Sequence, residues 1–444
     1  MPVHPPSARA HQPFRFRTVE GLLRKAEALG LDLPFDRDID PLLEPARIAS
    51  HDVPNRIAVQ PMEGADANPD GSPGELTFRR YRRYAEGGSG VIWFEATSVV
   101  PEGRSNPHAL MLTRETRSAF EALVDATRTE AGKAFGYAHR PLLVLQLTHA
   151  GRFTAPDGPH AVRCACANPH LDRPGTSSAV WQDAELDALR EIFVDRIALA
   201  TEAGFDAVDV KACHGYLVNE LLGAHTRTGS RYGGTFENRR RFLLDVVTGA
   251  RERVPGAVMA VRLNGSDCVP HPYGFGMAVD SSDSIDLAEP RALARELASR
   301  GCCLINVTAG VPRHAPHIGR PCDRPAGGVA VPPEHPLVGE ARLIGLAGAI
   351  QHACAPVPVV GSGYSWLRQF WPNVGAGVLR RGMAAFVGLG RGAFAYPDAP
   401  RDLMRRGALD RKKCCTTCSR CVEMMHRHSI TGCAVHDRAV YGKV

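Results

Sequence analysis

The sequence predicts an α/β chain, folded as a (β/α)8 TIM barrel with a Cys-rich C-terminal extension. Three observations carry this expectation. Eight short runs rich in Val, Ile and Leu recur along the chain, and amphipathic helical patterns lie between them. The 444-residue length leaves room for insertions beyond the ~250 residues such a barrel needs. The runs are apolar at successive positions, which suits parallel strands buried on both faces, and eight is the number that closes a barrel.

Taken in order, residues 1–45 are Pro-rich and read as an N-terminal arm. Strands are predicted at 56–60, 90–95 and 142–147, followed by a polar, Pro/Gly-rich insertion over 149–182. A helix at 184–203 leads to a strand at 207–211, and a helix at 236–254 leads to a strand at 258–263. A second insertion spans 264–288, before a helix at 290–300. Strands at 304–308, 357–361 and 385–389 complete the set, and a basic, Cys-rich tail begins at 405. The expected units are therefore an arm (1–45), a barrel (46–404) and a tail (405–444). Both insertions follow strand C-termini, the face on which barrel active sites are built, so both are lid candidates, with ordinary surface loops as the alternative. A doubly wound open sheet is the competing architecture. No GxGxxG joins a strand to a helix, so a dinucleotide-binding domain has no support.

Composition narrows the function classes. Hydrophobic residues make up 44% and charged residues 23%, the balance of a globular chain rather than a disordered one. The net charge is 53 − 47 = +6, spread along the chain. That offers no nucleic-acid footprint and is equally explained by an anionic cofactor. No run reaches the ~18 apolar residues of a membrane span, and the start MPVHPPSARAHQPFRFR lacks an apolar signal core. A cytoplasmic protein with no membrane or nucleic-acid partner is expected. Eight of the thirteen cysteines are scattered between Cys164 and Cys354, whereas five crowd between Cys414 and Cys433. In a reducing compartment the first group reads as small core hydrophobes and the second as a metal or iron–sulfur site.

A phosphate site is legible from the late strands. The seventh ends in VVGSGY (359–364) and the eighth in GLGRG (388–392). Glycines after strands seven and eight of a barrel let backbone N–H groups approach a phosphate, and Arg391 would add a charge-assisted bond.

Four stretches then point to a family: NRIAVQPMEG (55–64), VLQLTHAGR (144–152), CHGYL (213–217) and RTGSRYGGTFENRRRFLLDVV (227–247). Together they resemble the old yellow enzyme family of FMN-dependent oxidoreductases. Within it they are most similar to the flavin barrel of the 2,4-dienoyl-CoA reductase and trimethylamine dehydrogenase group. The resemblance implies that Pro61, Met62 and Ala96 lie against the isoalloxazine and that Gln146 bonds its pyrimidine edge. Arg262 would stabilise the anionic reduced flavin near N1 and the C2 carbonyl. Gly361, Gly363, Gly390 and Arg391 would take the phosphate. For Gln146 and Arg262 the plainer readings are an inward barrel residue and a strand-end salt bridge.

The substrate end departs from the family. Many members place His, then His or Asn three residues later, over the flavin to polarise a carbonyl; here the two positions are Lys211 and His214. Tyr216 matches the tyrosine that supplies the proton in many ene-reductases. Lys211 either replaces the missing donor, stabilising an enolate oxygen, or pairs with a carboxylate such as Glu63. Glu63 itself stands where relatives often carry Thr or Cys.

In the tail, Cys415, Cys418 and Cys421 form C-x2-C-x2-C, and Cys433 follows after eleven intervening residues. This spacing suits a [4Fe–4S] cluster and resembles the cluster motif of the dienoyl-CoA reductase group; zinc and free thiols are the rivals. Relatives with the cluster usually continue into FAD- and NAD(P)H-binding domains. For this chain the expected electron source is a redox partner protein, or NAD(P)H acting directly at FMN. The expected reaction is reduction of an activated C=C bond of an α,β-unsaturated carbonyl compound, or the reverse desaturation. The alternatives are amine dehydrogenation with electrons leaving through the cluster, and an electron-transfer flavoprotein subunit. A small-molecule substrate is expected, and a homo-oligomer is compatible with the fold.

Overall fold

All eight apolar runs form strands, and the eight strands close one parallel barrel in chain order. In this computed structural model, residue 3 and residues 11–156, 162–172 and 178–443 are described. The remaining positions, which include parts of the predicted arm and of the 149–182 insertion, lie outside the described residues. The strands are β1 (Ile57–Val59), β2 (Val91–Ser98), β3 (Leu142–Thr148), β4 (Ala207–Ala212), β5 (Met259–Asn264), β6 (Cys302–Thr308), β7 (Val359–Gly361) and β8 (Phe386–Leu389). β8 closes on β1 with Val387 opposite Ile57.

A helix follows each strand: α1 (Glu75–Glu86), α2 (Arg117–Phe135), α3 (Asp183–Glu202), α4 (Phe236–Arg253), α5 (Ala288–Ser299), α6 (Pro336–Cys354), α7 (Trp371–Arg380) and α8 (Ala399–Arg406). α4 starts where the YGGTFEN motif places it, because the Thr235 side chain accepts the Asn238 N–H as N-cap.

The two-residue period of a strand sorts the side chains into two cores. Ala58, Trp93, Val144, Ala260, Leu304 and Phe386 point inward, and Ile48 and Val53 of a short hairpin (Ala46–Ile48 with His51–Val53) pack with them. The alternate residues, such as Ile57, Phe94, Leu145, Val208 and Val261, join the helices in the outer core. Both faces are therefore apolar, as the sequence pattern requires. Towards the strand C-termini the inward positions turn polar, with Gln60, Gln146, Asp209, Lys211, Arg262 and Asn306. That gradient puts the chemistry at one end of the barrel.

β2 runs three residues further than the sequence suggests, to Ser98, across a break in register between Phe94 and Thr97. The extension is polar, so no apolar run marks it. The 264–288 insertion supplies no residue to the wall of the cleft at that end, although its Val269 and Tyr273 pack with Phe153 and Tyr216 beside it. Asp267 accepts from Asn219 Nδ2 at 2.9 Å, Asn264 Nδ2 at 2.7 Å and the Phe275 N–H at 2.9 Å. It therefore braces the short helix Leu217–Leu222 that follows β4.

The C-terminal tail docks across the same end. Asp437 pairs with Arg79 (2.7 Å) and Arg83 (2.6 Å) of α1, the Thr431 N–H donates to the Gly64 carbonyl (2.7 Å), and the Ser419 hydroxyl donates to the Arg324 carbonyl (2.6 Å). Among the described residues no helix is long and apolar enough to cross a membrane.

His149, just past β3, is 2% exposed, and its Nδ1 accepts the Gly151 N–H at 3.1 Å. Burial, reinforced by Arg163, pushes its pKa down to about 3. The folded value lies below the unfolded value of ~6.5, so its stabilising contribution is complete above that pH and is lost as pH falls towards about 3. Each pH unit in that window removes up to ~1.4 kcal/mol. Urea unfolding between pH 7 and 5 should show this slope. His149→Gln should lessen it by one proton's share, the rest coming from histidines such as His225 and His335, whose pKa values burial pushes down to about 3 and about 4.

Candidate active site

The polar ends of the strands line a cleft of about 1180 Å³. Its floor is fixed by one carboxylate. Asp209 on β4 accepts from Trp93 Nε1 of β2 (2.8 Å), Gln146 Nε2 of β3 (2.6 Å) and the Arg262 N–H of β5 (2.6 Å). Burial raises its pKa to about 6, while those three donors hold the charged form against that rise. Gln146 and Arg262 are thereby oriented, with Arg262 Nη1 reaching the Pro61 carbonyl at 3.4 Å. On the other side Gln60 accepts from Asn306 Nδ2 at 2.7 Å.

Over this floor sits the Lys211, His214 and Tyr216 group. His214 and Gly215 have φ of +66° and +75°, a reversal that turns the chain from β4 into the helix Leu217–Leu222. A Cβ at position 215 would lie 2.8 Å from Val311 and 2.9 Å from Phe153, so glycine is required there for space as well as conformation. The Gly215 N–H donates to Asn219 Oδ1 at 2.6 Å, and Arg239 of α4 donates to the Leu222 carbonyl at 2.5 Å. The ENRRRF part of the long motif therefore acts structurally, clamping the loop that carries Tyr216.

The Tyr216 hydroxyl donates to Glu63 Oε1 at 2.9 Å, the Ser105 hydroxyl donates to Glu63 Oε2 at 2.8 Å, and Lys211 Nζ lies 3.5 Å from Glu63 Oε1. Lys211 Nζ also stands 3.4 Å from the Tyr216 ring centroid. Burial opposes the Glu63 charge, but Lys211 and the two hydroxyl donors prevail and hold its pKa below the usual carboxylate range. Burial lowers the Lys211 pKa, and Glu63 partly restores it. The Tyr216 pKa is driven well up, by burial first and then by Glu63. His214 faces Thr308 Oγ1 at 3.4 Å, and burial with Arg262, Lys211 and Arg320 keeps its ring neutral. The two readings of Lys211 thus coexist geometrically: it pairs with Glu63 and still faces the cleft.

The model of the NADH:flavin oxidoreductase / NADH oxidase family matches residues 41–280, more than half of the chain. The chain belongs to this family. It is 27% identical over 384 residues to an NADH oxidase of Thermoanaerobacter brockii, covering 85% of this chain and 52% of the relative. It is 31% identical over 273 residues to an NADPH dehydrogenase of Bacillus pumilus, covering 61% of this chain and 73% of the relative. The chain thus spans about half the length of that NADH oxidase. A solved 2-naphthoyl-CoA reductase superposes with a TM-score of 0.73 at 19% identity, over 91% of this chain and 58% of that one, a likeness of fold. The resemblance to old yellow enzymes read from the motifs agrees with the family.

The cleft fits the family's FMN. Pro61, Met62, Ala96, Gln146, Arg262, Gly363, Gly390 and Arg391 all line it. Gly361 does not; it ends β7, where a Cβ would meet the Tyr364 hydroxyl at 2.7 Å. Among the described residues Arg262 Nε and Arg391 Nη1 are buried without a hydrogen-bond partner, two donors suited to an anion. Burial lowers the Arg262 pKa, a cost that a facing negative charge offsets.

A second, smaller cavity of about 320 Å³ lies behind Arg391, and Cys415, Cys418, Cys421 and Cys433 all line it. Burial raises the pKa of Cys415 to about 12 and of Cys421 to about 11, each countered by Arg391. Cys414 is not on this wall; its thiol lies 3.6 Å from the Asp410 carbonyl and packs into the main core. Among the described residues no group of three or more His, Cys, Asp or Glu side chains is arranged to hold a metal ion.

The structure adds wall residues that no motif marks: Ser105 after β2, Arg313 and Arg320 after β6, and Met425, His426 and His428 from the tail. Only Arg313 and Arg320 carried a sequence signal, as cations in a Pro/Gly-rich loop after a strand. Of the two lid candidates, 149–182 contributes Phe153, and 264–288 contributes nothing to the wall. Arg391→Ala should weaken FMN binding by roughly 1.5–3 kcal/mol, the worth of a charge-assisted bond, in a fluorescence titration of apoprotein.

Proposed function

We propose that this chain reduces the activated C=C bond of an α,β-unsaturated carbonyl compound, using FMN with NAD(P)H or a redox partner protein as electron source. The observation that carries this reading is the convergence of Lys211, His214 and Tyr216 in the cleft that also presents the residues suited to a flavin. Bound FMN would supply hydride exchange at N5. Lys211 has three N–H donors and points only one at Glu63, so it retains donors for a carbonyl oxygen, with His214 as the second contact. The Tyr216 phenol holds a proton for the α-carbon. Glu63 keeps that phenol protonated in the resting site, and the Lys211 ammonium above the ring favours the phenolate as the proton leaves.

The charge of the wall argues against amine oxidation. Lys211, Arg262, Arg313, Arg320 and Arg391 face one carboxylate, Glu63, and that carboxylate is already paired. A cationic amine would enter against this field.

The four tail thiols support a [4Fe–4S] cluster held by Cys415, Cys418, Cys421 and Cys433, a one-electron store for the flavin site. Zinc is the alternative for the same four thiols, which share one cavity. Arg391, on the walls of both cavities, offsets thiolate charge.

Anaerobic stopped-flow with NADPH-reduced protein and 2-cyclohexenone tests the reaction. Lys211→Ala should slow reoxidation ~10²–10³-fold, the usual effect of losing an oxyanion contact, far more than it slows reduction. Tyr216→Phe should spare enone binding and impair the protonation step. If no enone reoxidises the wild-type flavin, the reading falls. Cys418→Ser should lose most of the iron and labile sulfide while retaining FMN, because the two cavities share only Arg391 among the proposed ligands. Wild-type protein purified anaerobically without iron or sulfide would end the cluster assignment.

A further inference from the structure

Two cations of the cleft have no work in the reading above. Arg391 and Arg262 are the arginines assigned above to a flavin's phosphate and ring, and Lys211 is paired with Glu63. Arg313 and Arg320 remain on the wall. Among the described residues neither has a carboxylate within ion-pair distance or a hydrogen bond. Arg320 is half-buried; Arg391 repels it, while Cys421 of the tail, the already paired Glu63 and Tyr216 act on it only through space, none of them as a hydrogen-bond or ion-pair partner. Its place is set by backbone: Ile318 is 1% exposed, and a Cβ on Gly319 would lie 2.5 Å from the Ala309 carbonyl, so the segment is pressed against the end of β6. Arg313 is exposed at the mouth, with its guanidinium 5.0 Å from the Phe153 ring centroid.

A neutral substrate would bury Arg320 further with no partner, which is costly for a charge. A guanidinium fork instead matches a carboxylate in two parallel bonds. We propose that the cleft takes an unsaturated carbonyl compound that also bears a carboxylate, held by Arg320 with Arg313 at the mouth, while Lys211 and His214 hold the reacting carbonyl. In this assignment the carboxylate is an anchor, and the carbonyl held by Lys211 and His214 is the activating group. This inference rests on the ene-reduction reading and names its substrate class.

The test uses holoenzyme without nicotinamide nucleotide, so that no donor phosphate competes. In one arm, dithionite-reduced protein is reoxidised by 4-oxopent-2-enoate or by its methyl ester. In the other, the oxidised flavin spectrum is titrated with the saturated 4-oxopentanoate or its methyl ester, which reports binding whether or not turnover occurs. The acid should bind at least ~10-fold more tightly than the ester in both arms, the scale of one charge-assisted contact. Arg320→Met should bring that ratio close to one, Arg320→Lys should restore part of it, and added salt should weaken the acid selectively. Equal binding of acid and ester, or a preference that survives Arg320→Met, overturns the proposal. Acid selectivity in the titration with no reoxidation by any alkene keeps the anion site and removes the ene-reduction reading instead. Loss of NADPH affinity in Arg320→Met, with no acid preference in wild type, assigns the arginine to the donor's phosphates and also overturns the proposal.

Discussion

Asp209 is the constraint on which the site depends. A carboxylate inside a barrel is costly unless its lone pairs are filled, and here donors from three other strands fill them. Those donors are Trp93, the amide of Arg262 and the Gln146 side chain, so satisfying one buried charge also fixes the floor of the cleft. Below it the interior is apolar and closed by Ile48 and Val53; above it the inward positions carry Gln60, Lys211 and Arg262. One period-two pattern thus yields a packed base and a reactive top, and Asp209 marks the boundary.

Above that floor, position is set by structure that looks remote from the chemistry. Arg239 lies in α4, yet it holds the Leu222 carbonyl and pairs with Glu289 at 3.0 Å, clamping the loop that presents His214 and Tyr216. Asp267 braces the same short helix from the other side through Asn219. At the loop after β1, Arg80 pairs with Asp66 and Glu95, and Glu95 Oε2 accepts the Gly64 N–H at 2.6 Å, beside Glu63. The Gly64 carbonyl in turn accepts from Thr431 of the tail, so the tail is tied to the residue next to Glu63, the carboxylate that organises Tyr216.

The barrel was legible because its strands are apolar on both faces and therefore stand out as runs, and because glycine clusters end β7 and β8 at the expected places. Lys211, His214 and Tyr216 were legible through the resemblance of the CHGYL stretch and the strand before it to the family's donor positions. What the sequence did not show was built from contacts between distant segments without periodicity. Arg320 lines the same cleft as Glu63 and Tyr216 from the loop after β6, and His426 reaches the cleft from a tail whose only visible signal was its cysteines. The 264–288 segment has the composition of a lid. Composition says that a segment is a loop, though, and Asp267 decides which way it folds.

The pair Glu63 and Lys211 shows why single-site comparison misleads here. A lysine in place of a histidine adds a full charge beneath the substrate, and a carboxylate near a reduced flavin adds an unwelcome negative one. Each alone carries a desolvation cost in a cleft where both are largely buried. Together, with the Ser105 and Tyr216 hydroxyls on the carboxylate, they form a nearly neutral unit whose remaining lysine N–H groups still face the cavity. The field that this unit leaves uncancelled comes from the arginines around it. On the reading proposed above, selectivity in such a cleft rests less on the residues that replace the family's donors than on the guanidinium at position 320, which among the described residues has no ion-pair partner.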